Sequence, residues 1–303
     1  MAPYNEQGVT SVEFKITYRC NLNCIFCDFG DRSRQASLDV AAVAANLAHL
    51  QRQYRIAEAV VSGGEPTIAP DFLKILHYLR SQGLSTYLHT NAVKLADHRF
   101  AELCLPLVDR VMVGYHAHTP TLHKILCRSG SLRDVEEGIR NIVASGKPTR
   151  ANMVLTPQIA SHTAEMIAAV DALGVRRAVV TFPFAIGRSH ANFAGTVPSD
   201  FGTVSAAVES AMNEASRRGI ALSIQGLPWC LLGQYAQFVD PWQDRLFVDP
   251  EHQLDQALWL FEDVIGRVYP PPCALCQNSA VCHGVSRDLI ARGWVAFLRP
   301  EKV

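Results

Sequence analysis

At 303 residues and 49% hydrophobic composition the chain can bury a large core, enough for one sizeable α/β domain and a smaller appendage. Lys+Arg and Asp+Glu both total 28, so there is no overall basic field to recruit nucleic acid or an anionic membrane. Residues 1–10 lack the apolar core of a signal peptide and no later run is long enough to span a membrane, so a cytoplasmic protein is expected.

In chain order, Val12 to Tyr18 is a short β-prone run that ends directly at Cys20. Ser37 offers a helix N-cap, and Val40, Val43, Ala44, Leu47 and Leu50 then recur at helical spacing. Ala59 to Ser62 is the second strand, followed by a helical face of Phe72, Ile75, Leu76 and Leu79 that stops at Gly83. Leu84 to Thr90 is a third strand, with a weaker helix over Asp97 to Leu105. Arg110 to Tyr115 leads through a polar loop into Leu132, Val135, Ile139 and Ile142, ended by Gly146. Thr149 to Leu155 pairs with a helix over Thr163 to Leu173, and Arg177 to Phe182 with a helix over Asp200 to Arg218. Alternating strands and helices of this kind predict a parallel sheet with its helices outside, an open sheet or a partial or full barrel.

Both architectures bind ligands at the carboxyl ends of the strands. The residues there are Cys20 to Cys27, Gly63-Gly64-Glu65-Pro66, Thr90-Asn91, Tyr115-His116 and Phe182 to Arg188. After Gly219 the pattern changes. Ile220 to Gln225 reads as a last strand. From Leu227 the chain is rich in Trp, Pro and Gln, with a helix expected near Leu254 to Val264 and a domain boundary between 226 and 227. The expected division is therefore 1–226 and 227–303.

Nine cysteines, an odd number, suit metal or reactive thiols better than a disulfide framework. Cys20, Cys24 and Cys27 put three thiols in eight residues, one ligand short of a closed structural zinc site or a fully protein-ligated iron-sulfur cubane. Asp28 or a distant histidine could complete a zinc knuckle there. Cys273, Cys276 and Cys282 form a second group, for which structural zinc with Cys230 or His283 is one reading. A zinc-stabilised binding protein is thus the alternative outside catalysis.

Cys-x3-Cys-x2-Cys after the first strand, with an aromatic before the last cysteine, and Gly-Gly-Glu-Pro after the second strand together resemble the radical SAM superfamily. The resemblance spans roughly the first two thirds of the chain. It implies a partial (β/α)6 TIM-like barrel with a small C-terminal iron-sulfur domain. It implies that Cys20, Cys24 and Cys27 hold three irons of a 4Fe-4S cluster whose fourth iron binds S-adenosyl-L-methionine. Reductive cleavage then gives a 5′-deoxyadenosyl radical that abstracts a substrate hydrogen, with the electron coming from a donor such as flavodoxin or ferredoxin. Phe26 is expected near the adenine, Gly63 and Gly64 where the backbone approaches the methionine amino group, and Glu65 as a local charge or hydrogen bond. Asn91 belongs to a Thr-Asn-Gly-like stretch in which Ala92 replaces the glycine. Tyr115 and Asn152 are expected to contact the ribose and the methionine carboxylate.

The second cysteine group resembles the auxiliary-cluster region of the SPASM and Twitch subfamilies. Ser286 stands where the longer pattern continues with cysteine, so one auxiliary 4Fe-4S cluster is expected, with Cys230 as fourth ligand. Cys104 is expected in the core. Cys127 is read as lying in a polar loop with His116, His118 and His123, where it could return a hydrogen atom to a substrate radical. With nineteen residues before Cys20 and no separate peptide-recognition segment, a small-molecule substrate in cofactor or natural-product biosynthesis is the first reading. A ribosomally made peptide is the second.

Overall fold

The computed structural model describes residues 9–30, 35–184, 186–240, 245–259, 268–279, 282, 284–291 and 293–300. Seven strands run parallel in chain order: β1 (Val9–Thr17), β2 (Arg55–Gly63), β3 (Ser85–Thr90), β4 (Arg110–Gly114), β5 (Thr149–Val154), β6 (Arg177–Thr181) and β7 (Ala221–Gln225). The helices between them are α1 (Val40–Gln51), α2 (Phe72–Ser81), α3 (His98–Cys104), α4 (Pro120–Cys127), α5 (Leu132–Ala144), α6 (Thr163–Ala172), the short α7 (Gly187–Ala191) and α8 (Phe193–Thr196), and α9 (Phe201–Arg218). Two further strands, β8 (Leu246–Val248) and β9 (Leu258–Trp259), extend the sheet on the other side of β1. The order is β7-β6-β5-β4-β3-β2-β1-β8-β9, with β8 parallel to β1 and β9 antiparallel to β8. This is the expected α/β fold, a partial TIM-like barrel.

Each strand has two kinds of face. Val12, Phe14 and Ile16 of β1 are fully buried beneath the helices, while the alternate residues Glu13 and Lys15 turn to the interior hollow. Leu132, Val135, Ile139 and Ile142 form the buried stripe of α5, as their spacing predicts. Gly138 lies in that stripe because a Cβ there would meet the Ala92 carbonyl at 2.0 Å. Ala92 itself takes φ +64°. The left-handed turn that the resemblance assigns to a glycine is therefore present, held by an alanine at about 1–2 kcal/mol of backbone strain. Cys104 is fully buried in the core, as expected.

Several expectations are corrected. The N-cap of α1 is Asp39, whose carboxylate accepts from the Ala42 N–H at 2.8 Å, whereas Ser37 shares a hydrogen bond with Thr17. Residues 120–127 are a helix, α4, where a polar loop was expected; Thr119 caps it and Pro120 starts it. Residues 254–259 form a 3-10 turn and β9 instead of the start of a helix, and 260–264 lie outside the described residues. Beyond these corrections, β8 hydrogen-bonds along Val12 to Phe14 of β1. Among the described residues no helix is long and apolar enough to cross a membrane.

Candidate active site

The loop after β1 carries Cys20, Cys24 and Cys27, and its shape is fixed from three sides. From below, the turn after β2 is bonded to it: Gly64 N–H donates to the Thr17 carbonyl and Glu65 N–H to the Arg19 carbonyl, both at 2.7 Å. From one side, Asn23 N–H donates to the Cys127 carbonyl and Ile25 N–H to the Leu126 carbonyl, both at 2.9 Å, so the end of α4 runs alongside the loop. From the other side comes Arg188, at the start of α7. Its backbone N–H donates to the Cys27 carbonyl at 2.9 Å, Nη1 reaches Asn23 Oδ1 at 2.6 Å and the Cys24 carbonyl at 2.9 Å, and Nη2 reaches the Gly30 carbonyl at 3.0 Å.

All three thiols line one cavity of about 1220 Å³ that fills the barrel. Burial pushes the Cys20 thiol up to about 12, with Glu65 next in effect, and the Cys27 thiol up to about 11, with Asp28 next. Cys24 is raised as well, first by its hydrogen bond with the Cys127 thiol and then by burial. Three thiols held neutral in one wall need a local positive charge to ionise, and bound iron supplies it. The donor set and the space fit an iron-sulfur cluster with one iron left open to a second ligand.

The other expected residues divide. Phe26, Gly63, Gly64, Asn91 and Asn152 line the same cavity. Phe26 packs edge-on to His116, with ring centroids 4.7 Å apart. Asn91 Nδ2 donates to Asn21 Oδ1 at 2.7 Å and lies 3.7 Å from the Cys20 sulfur. Asn152 Oδ1 accepts from the Thr181 hydroxyl at 2.7 Å. The glycines have a reason in the chain's own packing. A Cβ on Gly63 would meet the Thr17 carbonyl oxygen at 2.3 Å, and one on Gly64 the Arg19 carbonyl oxygen at 2.3 Å.

Glu65, Tyr115 and Cys127 are not on the cavity wall. Glu65 is fully buried and accepts from the Thr67 hydroxyl and N–H, the Thr90 hydroxyl and the Asn91 N–H. It ties the end of β2 to the end of β3. Tyr115 points outward to α5, where its hydroxyl donates to Glu136 at 3.2 Å. Cys127 closes α4, is 2% exposed, and sits behind the cysteine loop against Cys24. It shares no polar loop with His116.

Sequence reasoning missed most of the cavity's lower lining. Alternate positions of the strands bring Glu13, Lys15, Tyr87, His89, Arg110, Arg150 and Arg177 inward. Arg110 pairs with Glu58 and lies 4.0 Å over the Tyr87 ring, while Arg150 pairs with Asp240. Burial holds His89 and His116 down to about 4, so both are neutral at pH 7. The available signal was charge at period-two positions in strands flanked by apolar residues on the other face.

A second hollow of about 490 Å³ is lined by Cys230, Cys273, Cys276 and Cys282, with Tyr269 and Arg299. His283 lies outside the described residues. Burial raises the Cys230 thiol, with Cys282 and Cys276 adding to it, and raises Cys273, to which Cys230 adds.

Comparison with known proteins places this fold and cysteine loop in one superfamily. The profile of the Radical SAM superfamily matches residues 14–170, and the chain belongs to that superfamily. Similar curated proteins are each described as "Probable GTP 3',8-cyclase". The one from Methanothermobacter thermautotrophicus is 30% identical over 156 residues, 51% of this chain and 51% of its own length. The one from Methanopyrus kandleri is 32% identical over 154 residues, 50% of this chain and 49% of its own. The chain thus spans about half the length of the curated relatives it matches. Among solved structures, Streptococcus suis SuiB bound to S-adenosylmethionine aligns with a TM-score of 0.59 at 16% identity, covering 71% of this chain and 49% of that one. Native anSMEcpe with bound AdoMet aligns with a TM-score of 0.57 at 14% identity, covering 71% and 63%. At these identities the structures speak for the fold alone. The protein is a radical SAM enzyme, and its family implies a 4Fe-4S cluster and S-adenosyl-L-methionine.

Proposed function

We propose that the enzyme generates a 5′-deoxyadenosyl radical at the Cys20, Cys24 and Cys27 cluster and uses it on a small polar molecule held lower in the same cavity. The observation that carries this reading is the continuity of the cavity. One hollow is walled at its upper end by the three cysteines, Phe26, Asn91 and Asn152, and further down by strand-borne charged groups. When bound, the cluster and S-adenosyl-L-methionine supply the radical; the protein supplies position and enclosure. Arg188 and the Gly63-Gly64 turn hold the loop, Asn91 steadies it through Asn21, and Phe26 offers an apolar ring to the adenine. The relatives described as GTP 3',8-cyclases support a small-molecule substrate over a peptide. The electron would come from a flavodoxin- or ferredoxin-like donor.

Cys230, Cys273, Cys276 and Cys282 are proposed to hold an auxiliary 4Fe-4S cluster in a unit formed by residues 227–303; their sharing of one hollow supports this. Metal analysis separates the outcomes. A Cys20, Cys24 and Cys27 triple alanine variant, reconstituted anaerobically, is expected to retain iron and sulfide in equal amounts. Zinc without sulfide would reject the auxiliary cluster. For the substrate, reconstituted enzyme is incubated with S-adenosyl-L-methionine, a reductant and candidate small molecules, and substrate-stimulated 5′-deoxyadenosine is followed. Stimulation by a short precursor peptide alone would reject the small-molecule reading.

A further inference from the structure

The lower half of the barrel cavity is built differently from an ordinary (β/α) barrel interior, which is packed with branched apolar side chains. Arg110 is the first residue of β4, Arg150 the second of β5 and Arg177 the first of β6, so three arginines stand on adjacent strands at the N-terminal end of the barrel. Arg150 and Arg177 are direct cross-strand partners in the ladder. Like charges placed directly opposite on neighbouring strands destabilise a sheet. Glu58 takes up Arg110 and Asp240 takes up Arg150. Arg177 is exposed and forms no ion pair among the described residues, yet it lines the cavity.

Arg245, just before β8, reinforces the asymmetry. Among the described residues its nearest carboxylate is Glu13 at 3.7 Å, and its Nε and Nη1 are buried with no hydrogen-bond partner there. Glu13 already accepts a 2.6 Å bond from the Ser62 hydroxyl. The remaining carboxylates of the cavity lie higher. Asp28 follows the cysteine loop, and Asp249 follows β8, its Oδ1 accepting from its own turn at Glu251 and His252. Of the cavity's carboxylates, Asp240 is thus taken up by Arg150 and Glu13 is shared between Arg245 and the Ser62 hydroxyl, which leaves Arg177 with no acid partner among the described residues. The buried Arg245 donors are costly without an acceptor, and an oxyanion is the ligand that offsets that cost while also pairing the exposed Arg177.

We propose that Arg177, with Arg150 and Arg245, forms an oxyanion subsite at the floor of the cavity that receives a phosphate or carboxylate group of the substrate and turns its other end toward the cysteine loop. This rests on the proposed function for which end reacts, but the binding site itself does not. From Arg177 to the end of β6 at Thr181 the strand rises about 13 Å. A substrate anchored at the floor thus has its anionic end far from the open iron, and the extended reach selects elongated small molecules over compact ones. Because Arg177 faces water, the attraction is screened by salt.

The test is calorimetric binding of inorganic pyrophosphate and, separately, of glutarate to the reconstituted holoprotein, at low and at physiological ionic strength. Wild type is expected to bind one of the two, with affinity falling as salt rises, and Arg177→Gln to weaken that binding at least tenfold. Which probe binds assigns phosphate or carboxylate. No binding of either probe, or equal binding by Arg177→Gln, overturns the subsite. Arg177→Lys restores part of the affinity if charge matters there. Cleavage of S-adenosyl-L-methionine in the absence of substrate is measured alongside. Its loss in wild type would overturn the radical-forming site instead, so the two failures are distinguishable.

Discussion

The Glu65 carboxylate accepts the Asn91 backbone N–H at 2.7 Å, and through this bond the turn after β2 fixes the turn after β3. With Thr67 and Thr90 also donating to Glu65, a buried carboxylate serves as a hub. Asn91 reaches Asn21 from that hub and lies close to the Cys20 sulfur, so a residue outside the cavity controls one wall of it. Glu65→Gln replaces an acceptor oxygen with a donor and leaves buried N–H and O–H groups competing. We expect a stability loss of about 2 kcal/mol, read by urea unfolding. The same variant should bind S-adenosyl-L-methionine more weakly than wild type. An unchanged unfolding midpoint would remove the hub role.

Gly63→Ala and Gly64→Ala test the contact between the first two strand ends. Each Cβ would sit 2.3 Å from a backbone carbonyl oxygen, which no rotamer change relieves. Gly63 also has φ +129°, a region closed to alanine without strain. Both variants should fail to assemble the Cys20, Cys24 and Cys27 cluster while the second cysteine group still takes up iron. Wild-type iron content in either would contradict the packing.

Arg188→Lys removes the fork that spans Asn23, Cys24 and Gly30 and keeps one positive charge. A point charge cannot span those acceptors. The expected result is faster loss of iron from the first site to a chelator, with metal release from the second cysteine group unchanged. Equal rates would show that the loop holds its shape without the fork.

His89 and His116 are held near 4 by burial, below the ordinary histidine value of 6.5. At these two sites the unfolded chain therefore binds more protons than the folded one between about pH 6.5 and 4, so their contribution to stability falls as pH drops through that window and is constant above it. Each histidine contributes a slope of at most about 1.4 kcal/mol per pH unit. Urea midpoints at pH 7, 6 and 5 should decline, and His89→Gln should make the decline shallower. A parallel decline in both proteins would show that His89 does not titrate with folding.

Much of the barrel was legible because β1 to β7 are apolar runs closed by glycines or caps, local signals that a period reveals. β8 was not, since three residues form a strand only by borrowing the free edge of β1. α4 was read as loop because His118, Thr119, Thr121, His123 and Lys124 leave few apolar residues near its start, and Thr119 with Pro120 outweighs them as a start signal. In the site, the cysteines were readable from spacing. Arg188 was not singled out, because its partners lie 158 to 165 residues away. Tyr115 was assigned to the right strand end but turns away from the cavity, and Cys127 was assigned to a loop but ends helix α4 behind the cysteine loop, neither of which one-dimensional spacing resolves at a turn.

The three cysteines on the β1 loop are proposed to start the chemistry. Wild type and a Cys20, Cys24 and Cys27 triple alanine variant, both reconstituted anaerobically with iron and sulfide, are incubated with S-adenosyl-L-methionine and dithionite. 5′-Deoxyadenosine is then quantified. Wild type is expected to form it and the variant none above background; equal amounts from both, or none from wild type, would contradict the role of the three cysteines.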